Sequence, residues 1–268
     1  MENDLLIGID VGTTAVKATL FNDTGRVLSQ YHKPYPIHRL AGARVEQDPA
    51  DWMRAVYAAL DQFSNHVDSA SVRAIGLTSQ VNTHVFADKN GEAVTPALVW
   101  QDGRASEQAK RLDAQLSDAQ RMAWWGAPLP IDASHALSRM QWFLEEDPVL
   151  WDSAQYVLLP KDYCIRELTG EIVSDPLSNI GLVNLDACFI TELLGLVPGA
   201  SGRMPALNDM TALAGGVKPG LPFAGTPVSV GTMDAWAGLF GCAVTHDQQG
   251  LYLSGTSEIL GIISPSVA

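Results

Sequence analysis

From Leu5 to Ile9 the chain is apolar throughout, then it enters Asp10-Val11-Gly12-Thr13-Thr14, the pattern of a buried strand running into a glycine turn. Ala15–Phe21 alternates loosely and stops at Asn22-Asp23-Thr24-Gly25, a turn signal, and Arg26–Tyr31 predicts a third strand. The chain is therefore expected to open as an antiparallel meander. Asp48-Pro49-Ala50-Asp51 supplies a helix start, with Trp52, Val56, Ala59, Leu60 and Phe63 recurring at helical spacing behind it. Val72–Thr78 predicts a strand that continues through Gln80–Val85, where alternation would place Gln80, Asn82 and His84 on one face. Strands are also expected at Pro96–Trp100 and Tyr156–Leu159, and helices at Arg104–Leu116, at Ala133–Glu146 (stopped by Asp147-Pro148) and at Asp162–Thr169 (closed by Gly170). Residues 174–226 are rich in Gly and Pro and read as surface connections. A buried strand at Pro227–Val230 and a short apolar helix at Asp234–Cys242 follow, then Leu251–Leu253 and Ile259–Ile263 flanking Ser254-Gly255-Thr256-Ser257. Strands alternating with helices predict a mixed α/β architecture. The Gly-Thr-Thr/Ser turn between two strands occurs twice, near each end, which suggests two related half-structures facing each other.

Composition narrows the possible partners. Among 268 residues, 17 Lys+Arg oppose 30 Asp+Glu, a formal net charge of −13, which argues against a nucleic-acid binder and against a reader of anionic membrane surfaces. A phosphorylated ligand stays possible, held locally by backbone amides and Mg²⁺. A hydrophobic content of 47% with 18% charged residues describes a globular chain, long enough for one large domain or two modest ones. Cys164, Cys188 and Cys242 show no paired spacing, so reduced, buried thiols in a cytosolic setting are expected. The acidic N-terminus lacks a signal-peptide pattern and no segment reads as membrane-spanning.

Several residues carry candidate chemistry, each with a plain structural alternative. Gly12-Thr13-Thr14 offers unhindered amides and two hydroxyls, either a phosphate cradle or a β-turn with Thr caps, and it is not a P-loop. Asp10 could hold Mg²⁺ through water. Asp234 is either a helix N-cap or a carboxylate positioned to accept a proton from a substrate hydroxyl. Gln80, Asn82 and His84 suit the hydroxyls of a sugar or polyol, or a solvated strand face. Trp100, ahead of Gln101, Asp102 and Arg104, is an apolar plate for carbohydrate or a core residue.

Taken in order, Ile7–Thr14 with Lys17, Trp100-Gln101-Asp102-Gly103-Arg104, Leu159-Pro160-Lys161-Asp162-Tyr163, Thr169-Gly170-Glu171, Gly231–Gly241 and Ser254–Ser257 resemble the amino-terminal half of FGGY-family carbohydrate kinases. The pattern is nearest to the xylulokinase-type pentulose kinases. The resemblance implies an α/β, actin/hexokinase-like (ribonuclease H-like) fold, with the first domain over residues 1–244 and the start of a second, ATP-binding domain over 245–268. It further implies ATP-dependent phosphorylation of a sugar hydroxyl on a pentulose such as xylulose or a related keto-sugar or polyol. By the same resemblance Asp234 is the catalytic base, Gly12, Thr13, Thr14 and Lys17 belong to the first phosphate loop with Asp10 near Mg²⁺, and Gly255 and Thr256 belong to the second. Gln80, Val81, Asn82, Trp100, Asp102 and Asp234 are the expected sugar contacts. The other readings are a non-catalytic sugar-binding or regulatory module on the same fold and, lower in rank, an actin-like ATPase.

Two departures qualify the resemblance. Xylulose-type kinases carry Gln-Met-His-Gly where this chain has Gln80-Val81-Asn82-Thr83, and the Arg-Glu pair of glycerol kinases is missing as well, so the sugar stays open. Family members also continue beyond residue 268, so the chain is expected to be part of a longer protein, with full activity belonging to the parent. Pairing with a second copy as a homodimer is left open.

Overall fold

The computed structural model describes residues 4–254 and 258–264. As the alternation predicts, β1 (Leu5–Val11), β2 (Ala15–Asn22) and β3 (Val27–Pro34) form an antiparallel meander. Short strands β4 (His38–Leu40) and β5 (Arg44–Gln47) lead into α1 (Pro49–Ser64), and β6 (Val72–Ser79) returns parallel to β1 with Val11 opposite Ser79. The helix supplies the crossover that parallel pairing demands. Then come β7 (Val85–Ala87), β8 (Ala97–Leu98), α2 (Ser106–Asp113), α3 (Asp118–Trp125), α4 (Ala136–Glu146), α5 (Pro148–Ser153), β9 (Tyr156–Leu158), α6 (Pro160–Thr169) and β10 (Val173–Ser174). The chain closes with α7 (Thr191–Leu194), β11 (Ala206–Leu207), β12 (Leu213–Gly216), β13 (Pro227–Ser229), β14 (Thr232–Met233), α8 (Asp234–Gly241), β15 (Gly250–Ser254) and β16 (Glu258–Ile262). The central sheet runs β12-β13-β6-β1-β2-β3, with β14 also paired to β6. β15 and β16 pair with each other as a separate hairpin.

One face of the central sheet is dry. The side chain of Asp48 accepts the Ala50 N–H at 2.9 Å and Pro49 fills the first helical turn, so α1 starts where the sequence predicts. Trp52, Val56, Ala59, Leu60 and Phe63 are fully buried on its inner stripe, against Ile7, Ile9, Val16, Leu20, Ile75 and Leu77 of the sheet. Burial of a side chain such as Leu60 or Phe63 contributes roughly 2 kcal/mol. α6 completes this layer with Cys164, Ile165 and Leu168. The opposite face carries Gly8, Thr19, Gly76 and Ser229, and with Asp10 and Lys17 these line an open cavity of about 660 Å³.

A second core, built from Phe86, Leu98, Leu137, Met140, Phe143 and Trp151, overturns one expectation about residues 174–226. That stretch has no long element, yet Leu182, Ile190, Leu193, Leu194, Val197 and Ala200 are buried in this core rather than connecting elements over the surface. Apolar residues dispersed among glycines and prolines lack a period, so sequence patterning misses them. α3 was also missed, although its capping box between Ser117 and Gln120 is a readable signal. Asp147 does end α4, but its side chain also accepts the Leu150 N–H and starts α5. The helix expected over Arg104–Leu116 is confined to α2, and the strand expected over Pro96–Trp100 to Ala97 and Leu98. Of the three cysteines, Cys164 is buried as expected, whereas Cys188 and Cys242 are exposed.

The connection from β13 into β14 crosses β6 very closely at Gly231. Its φ is +67°, and a Cβ there would sit 1.9 Å from the Leu77 carbonyl oxygen. Gly231→Ala is expected to lower unfolding free energy by about 3 kcal/mol or more, because neither backbone can yield without breaking the sheet. Urea denaturation of wild type and variant checks this.

Candidate active site

The β1–β2 turn is held from several directions. The Gly12 N–H donates to the Ala15 carbonyl at 3.1 Å, so this amide closes the turn rather than pointing at a ligand. Tyr35 Oη donates to the Gly12 carbonyl, and the Tyr35 N–H to the Thr14 carbonyl at 3.2 Å. Gln47 Nε2 donates to the Thr13 carbonyl at 2.7 Å, and Trp100 Nε1 donates to Thr13 Oγ1 at 3.1 Å. The amides of Thr13 and Thr14 have no acceptor among the described residues, which leaves them as the donors a phosphate could meet. Gln47, at the end of β5, was not singled out from the sequence. It lies between the turn and Gln80, whose Nε2 donates to Gln47 Oε1 at 2.9 Å.

The polar tract after β6 departs from expectation. The chain leaves β6 at Ser79 and bends, with Asn82 at φ +54°, before resuming as β7. Gln80, Asn82 and His84 therefore do not share one face: Gln80 and His84 are buried and Asn82, like Val81, is half-buried. The Gln80 Oε1 is buried without a partner. Arg139 on α4 organises this region and carried no sequence signal beyond a charge on an apolar helix. Its guanidinium is fully buried and donates to the carbonyls of Asn82 (2.6 Å), Leu98 (2.8 Å) and Val99 (2.6 Å), and meets His84 Nδ1 at 2.7 Å. Burial lowers the Arg139 pKa to about 9 and holds His84 well below its ordinary value. One side chain thus ties the Asn82 bend to the residues immediately before Trp100.

Asp102, expected at the sugar, is buried inside the protein with both carboxylate oxygens engaged. Oδ2 accepts the Val45 N–H at 2.7 Å, and Arg104 lies across both oxygens while also reaching Glu46. Its position secures the loop carrying Trp100 against β5 and leaves no free oxygen for a ligand. Trp100 itself is half-buried, with its indole N–H directed at Thr13.

Asp234 begins α8, with Met233 as the capping position and without a side-chain cap bond. The N-cap alternative is thus not realised; Asp234 Oδ1 accepts the next amide, that of Ala235, at 2.8 Å. The residue is exposed, and the protein around its carboxyl raises the pKa through desolvation. Asp10 is raised to about 6 by desolvation, opposed by Lys17, whose Nζ lies 3.7 Å from Oδ2, and reinforced by the negative charge of Asp234. The two carboxylates therefore stand in each other's field. Asp10 Oδ1 is buried with no partner, an orphaned hard oxygen that fits a divalent cation. No cluster of three His, Cys, Asp or Glu able to hold a metal occurs among the described residues. Gly255 and Thr256 lie outside the described residues. Among the described residues no helix is long and apolar enough to cross a membrane.

Residues 5–241 match the family profile described as the FGGY family of carbohydrate kinases, N-terminal domain. The chain is 28% identical over 267 residues to a xylulose kinase of Klebsiella pneumoniae, covering 97% of this chain and 54% of that relative. It is 32% identical over 247 residues to a xylulose kinase of Streptomyces coelicolor, covering 90% of the chain and 50% of the relative. Among solved structures it resembles a kinase from Brucella ovis described as a xyloylose kinase, with a TM-score of 0.86, 26% identity and 96% and 53% of the two chains covered. A glycerol kinase from Plasmodium falciparum with ADP superposes with a TM-score of 0.87 at 16% identity, covering 96% of this chain and 54% of that one, a likeness of fold alone. The fold is the actin/hexokinase-like one expected, and the chain spans about half the length of the relatives it matches.

Two outcomes follow from this geometry. Arg139→Met is expected to destabilise by about 3 kcal/mol or more, since buried carbonyls lose their donor, whereas Trp100→Phe, which loses one hydrogen bond, costs about 1 kcal/mol. Urea midpoints separate the two. In the absence of divalent cations, the folded Asp10 pKa of about 6 lies above the ordinary aspartate value of 3.8. The native state therefore binds the extra proton in that window, and stability falls as pH rises from 3.8 to about 6. Asp10→Asn is expected to remove that component of the slope, read from thermal unfolding across pH.

Proposed function

Because the chain belongs to the FGGY family of carbohydrate kinases, we propose that this protein phosphorylates a sugar hydroxyl with ATP, its substrate a pentulose or a related keto-sugar or polyol. The observation that carries the reading is the pairing of Asp234 with Asp10 across one field, beside a turn whose Thr13 and Thr14 amides are unspent. Asp234 accepts the proton of the attacking hydroxyl, and its raised pKa makes it a better base than an ordinary surface carboxylate. The Thr13 and Thr14 amides and Lys17 hold phosphate oxygens, and Gly255 and Thr256 contribute from a second loop. Asp10 would hold Mg²⁺ through water, and a bound Mg²⁺ would neutralise charge that develops during transfer.

On the sugar side the contacts are Gln80, Val81 and Asn82, with Trp100 as the apolar plate. Asp102 acts through the loop that carries Trp100 rather than by touching the sugar. Two matched relatives are named xylulose kinase, which supports a pentulose, while Val81 and Asn82 stand where that type of kinase carries Met-His. Residues 245–268 are assigned to the start of a second domain, and the cytosol, where ATP is available, is the compartment. A sugar-binding module without catalysis would need neither Asp10 nor Asp234, and no observation favours it.

The test is sugar-dependent ADP formation by the complete reading frame with ATP and Mg²⁺, across pentuloses, hexuloses, aldoses, glycerol and tetritols. One sugar is expected to dominate, and Asp234→Asn to lower kcat by about 10²–10⁴-fold with folding intact. A variant that keeps wild-type turnover removes the base assignment.

A further inference from the structure

The Leu159–Tyr163 segment stood out in the sequence, yet the reaction as derived uses none of its residues. Lys161, on the first turn of α6, is wholly buried, and its Nζ lies 2.6 Å from Asp162 Oδ1 and 2.8 Å from Asp175 Oδ1. It also donates to the Val230 carbonyl at 3.3 Å. Asp162 and Asp175 are likewise fully buried. Two carboxylates against one ammonium leave an excess negative charge in the interior, and a buried ion pair is seldom worth its desolvation as a source of stability. Its use has to be sought in what it holds.

Several of the groups held at this cluster lead into the candidate active site. The backbone N–H of Lys161 donates to Ser79 Oγ at 3.1 Å, at the end of β6 and directly before Gln80. Val230 precedes the Gly231 crossing. Asp175 Oδ2 accepts the Ser178 N–H and the Thr232 hydroxyl, each at 3.0 Å. Thr232 is two residues from Asp234, and β14, which delivers Asp234, has only two residues paired with β6: Thr232 opposite Thr78 and Met233 opposite Ser79. So short a strand is weakly located by its ladder alone, and the hydroxyl-to-carboxylate bond supplies an anchor on its other side.

We propose that the buried Lys161–Asp162–Asp175 cluster is the positioning element of the active site, fixing Asp234 through Thr232 and the bend at Gln80 through Ser79. This rests on the kinase reading above. Lys161, Asp175 and Thr232 are positioning residues: they touch no substrate and act by keeping the base where the hydroxyl arrives, since small misplacements of a reacting group are costly in rate.

Lys161→Met strands two buried carboxylates and risks misfolding, so the decisive pair is Thr232→Val and Thr232→Ser in the complete reading frame. Thr232→Val keeps the shape and removes the donor. It is expected to lower kcat by about tenfold to a hundredfold while KM for the sugar stays near wild type and the melting temperature falls by only about 2–4 °C, and Thr232→Ser to restore turnover. Amide hydrogen exchange gives a readout without turnover: in Thr232→Val, exchange at Met233–Trp236 is expected to rise about tenfold while β1 is unchanged. If the wild-type protein phosphorylates no sugar, the kinase reading fails and exchange alone decides whether the cluster holds the Asp234 turn. Unchanged exchange in Thr232→Val overturns the proposal. So does a loss of kcat that tracks unfolding and is not rescued by Thr232→Ser.

Discussion

The parallel pairing of β1 with β6 is the constraint from which the site follows. Parallel neighbours end at the same edge of a sheet, and ligand crevices form outside those carboxyl ends. With Val11 opposite Ser79, the Asp10–Thr14 turn and the Gln80–Asn82 bend leave the sheet side by side. β14 then adds parallel to the same end of β6, so Asp234 emerges at that edge as well. Three segments as far apart in sequence as Asp10 and Asp234 are brought together by one strand. The small residues on β1 and β6, Gly8 and Gly76, keep the open face of that strand pair accessible.

Strands that end together also leave carbonyls and amides without ladder partners in a partly dry region, and such groups are costly unless satisfied. Two buried cations answer that cost. Arg139 collects the carbonyls around the Asn82 bend and the approach to Trp100, and Lys161 collects Val230 and its two carboxylates. Neither is exposed to a ligand, yet each links chain segments that carry expected ligand contacts. Gln47 serves the same end with neutral groups, joining the Thr13 carbonyl to Gln80.

This division explains what could be read from sequence and what could not. The meander, α1 and the β1–β2 turn are local or periodic features, and the ordered set of motifs from Ile7–Thr14 to Ser254–Ser257 was enough to suggest the family. The roles of Arg139, Lys161 and Asp102 are set by which carbonyls and amides lie near them across about 40 to 70 residues of chain. A buried charge looks like a surface charge until its environment is known. The same holds for Gln80, Asn82 and His84: alternation put them on one face, but a single left-handed residue at Asn82 broke the period, a conformation that Asn tolerates better than most residues.

Electrostatics gives the site its direction. A chain of net charge −13 that brings Asp10 and Asp234 into each other's field is hostile to a polyphosphate unless positive charge arrives with it. Lys17 is mostly exposed and 3.7 Å from Asp10, too weakly engaged to cancel both carboxylates. Desolvation raises the Asp10 pKa, and its Oδ1 is buried without a hydrogen-bond partner, a hard oxygen donor at the same point. A divalent cation held there would offset the repulsion at Asp10 beside the amides of Thr13 and Thr14. The acidity that argues against nucleic acid as a partner is thus compatible with a phosphorylated ligand that brings positive charge with it.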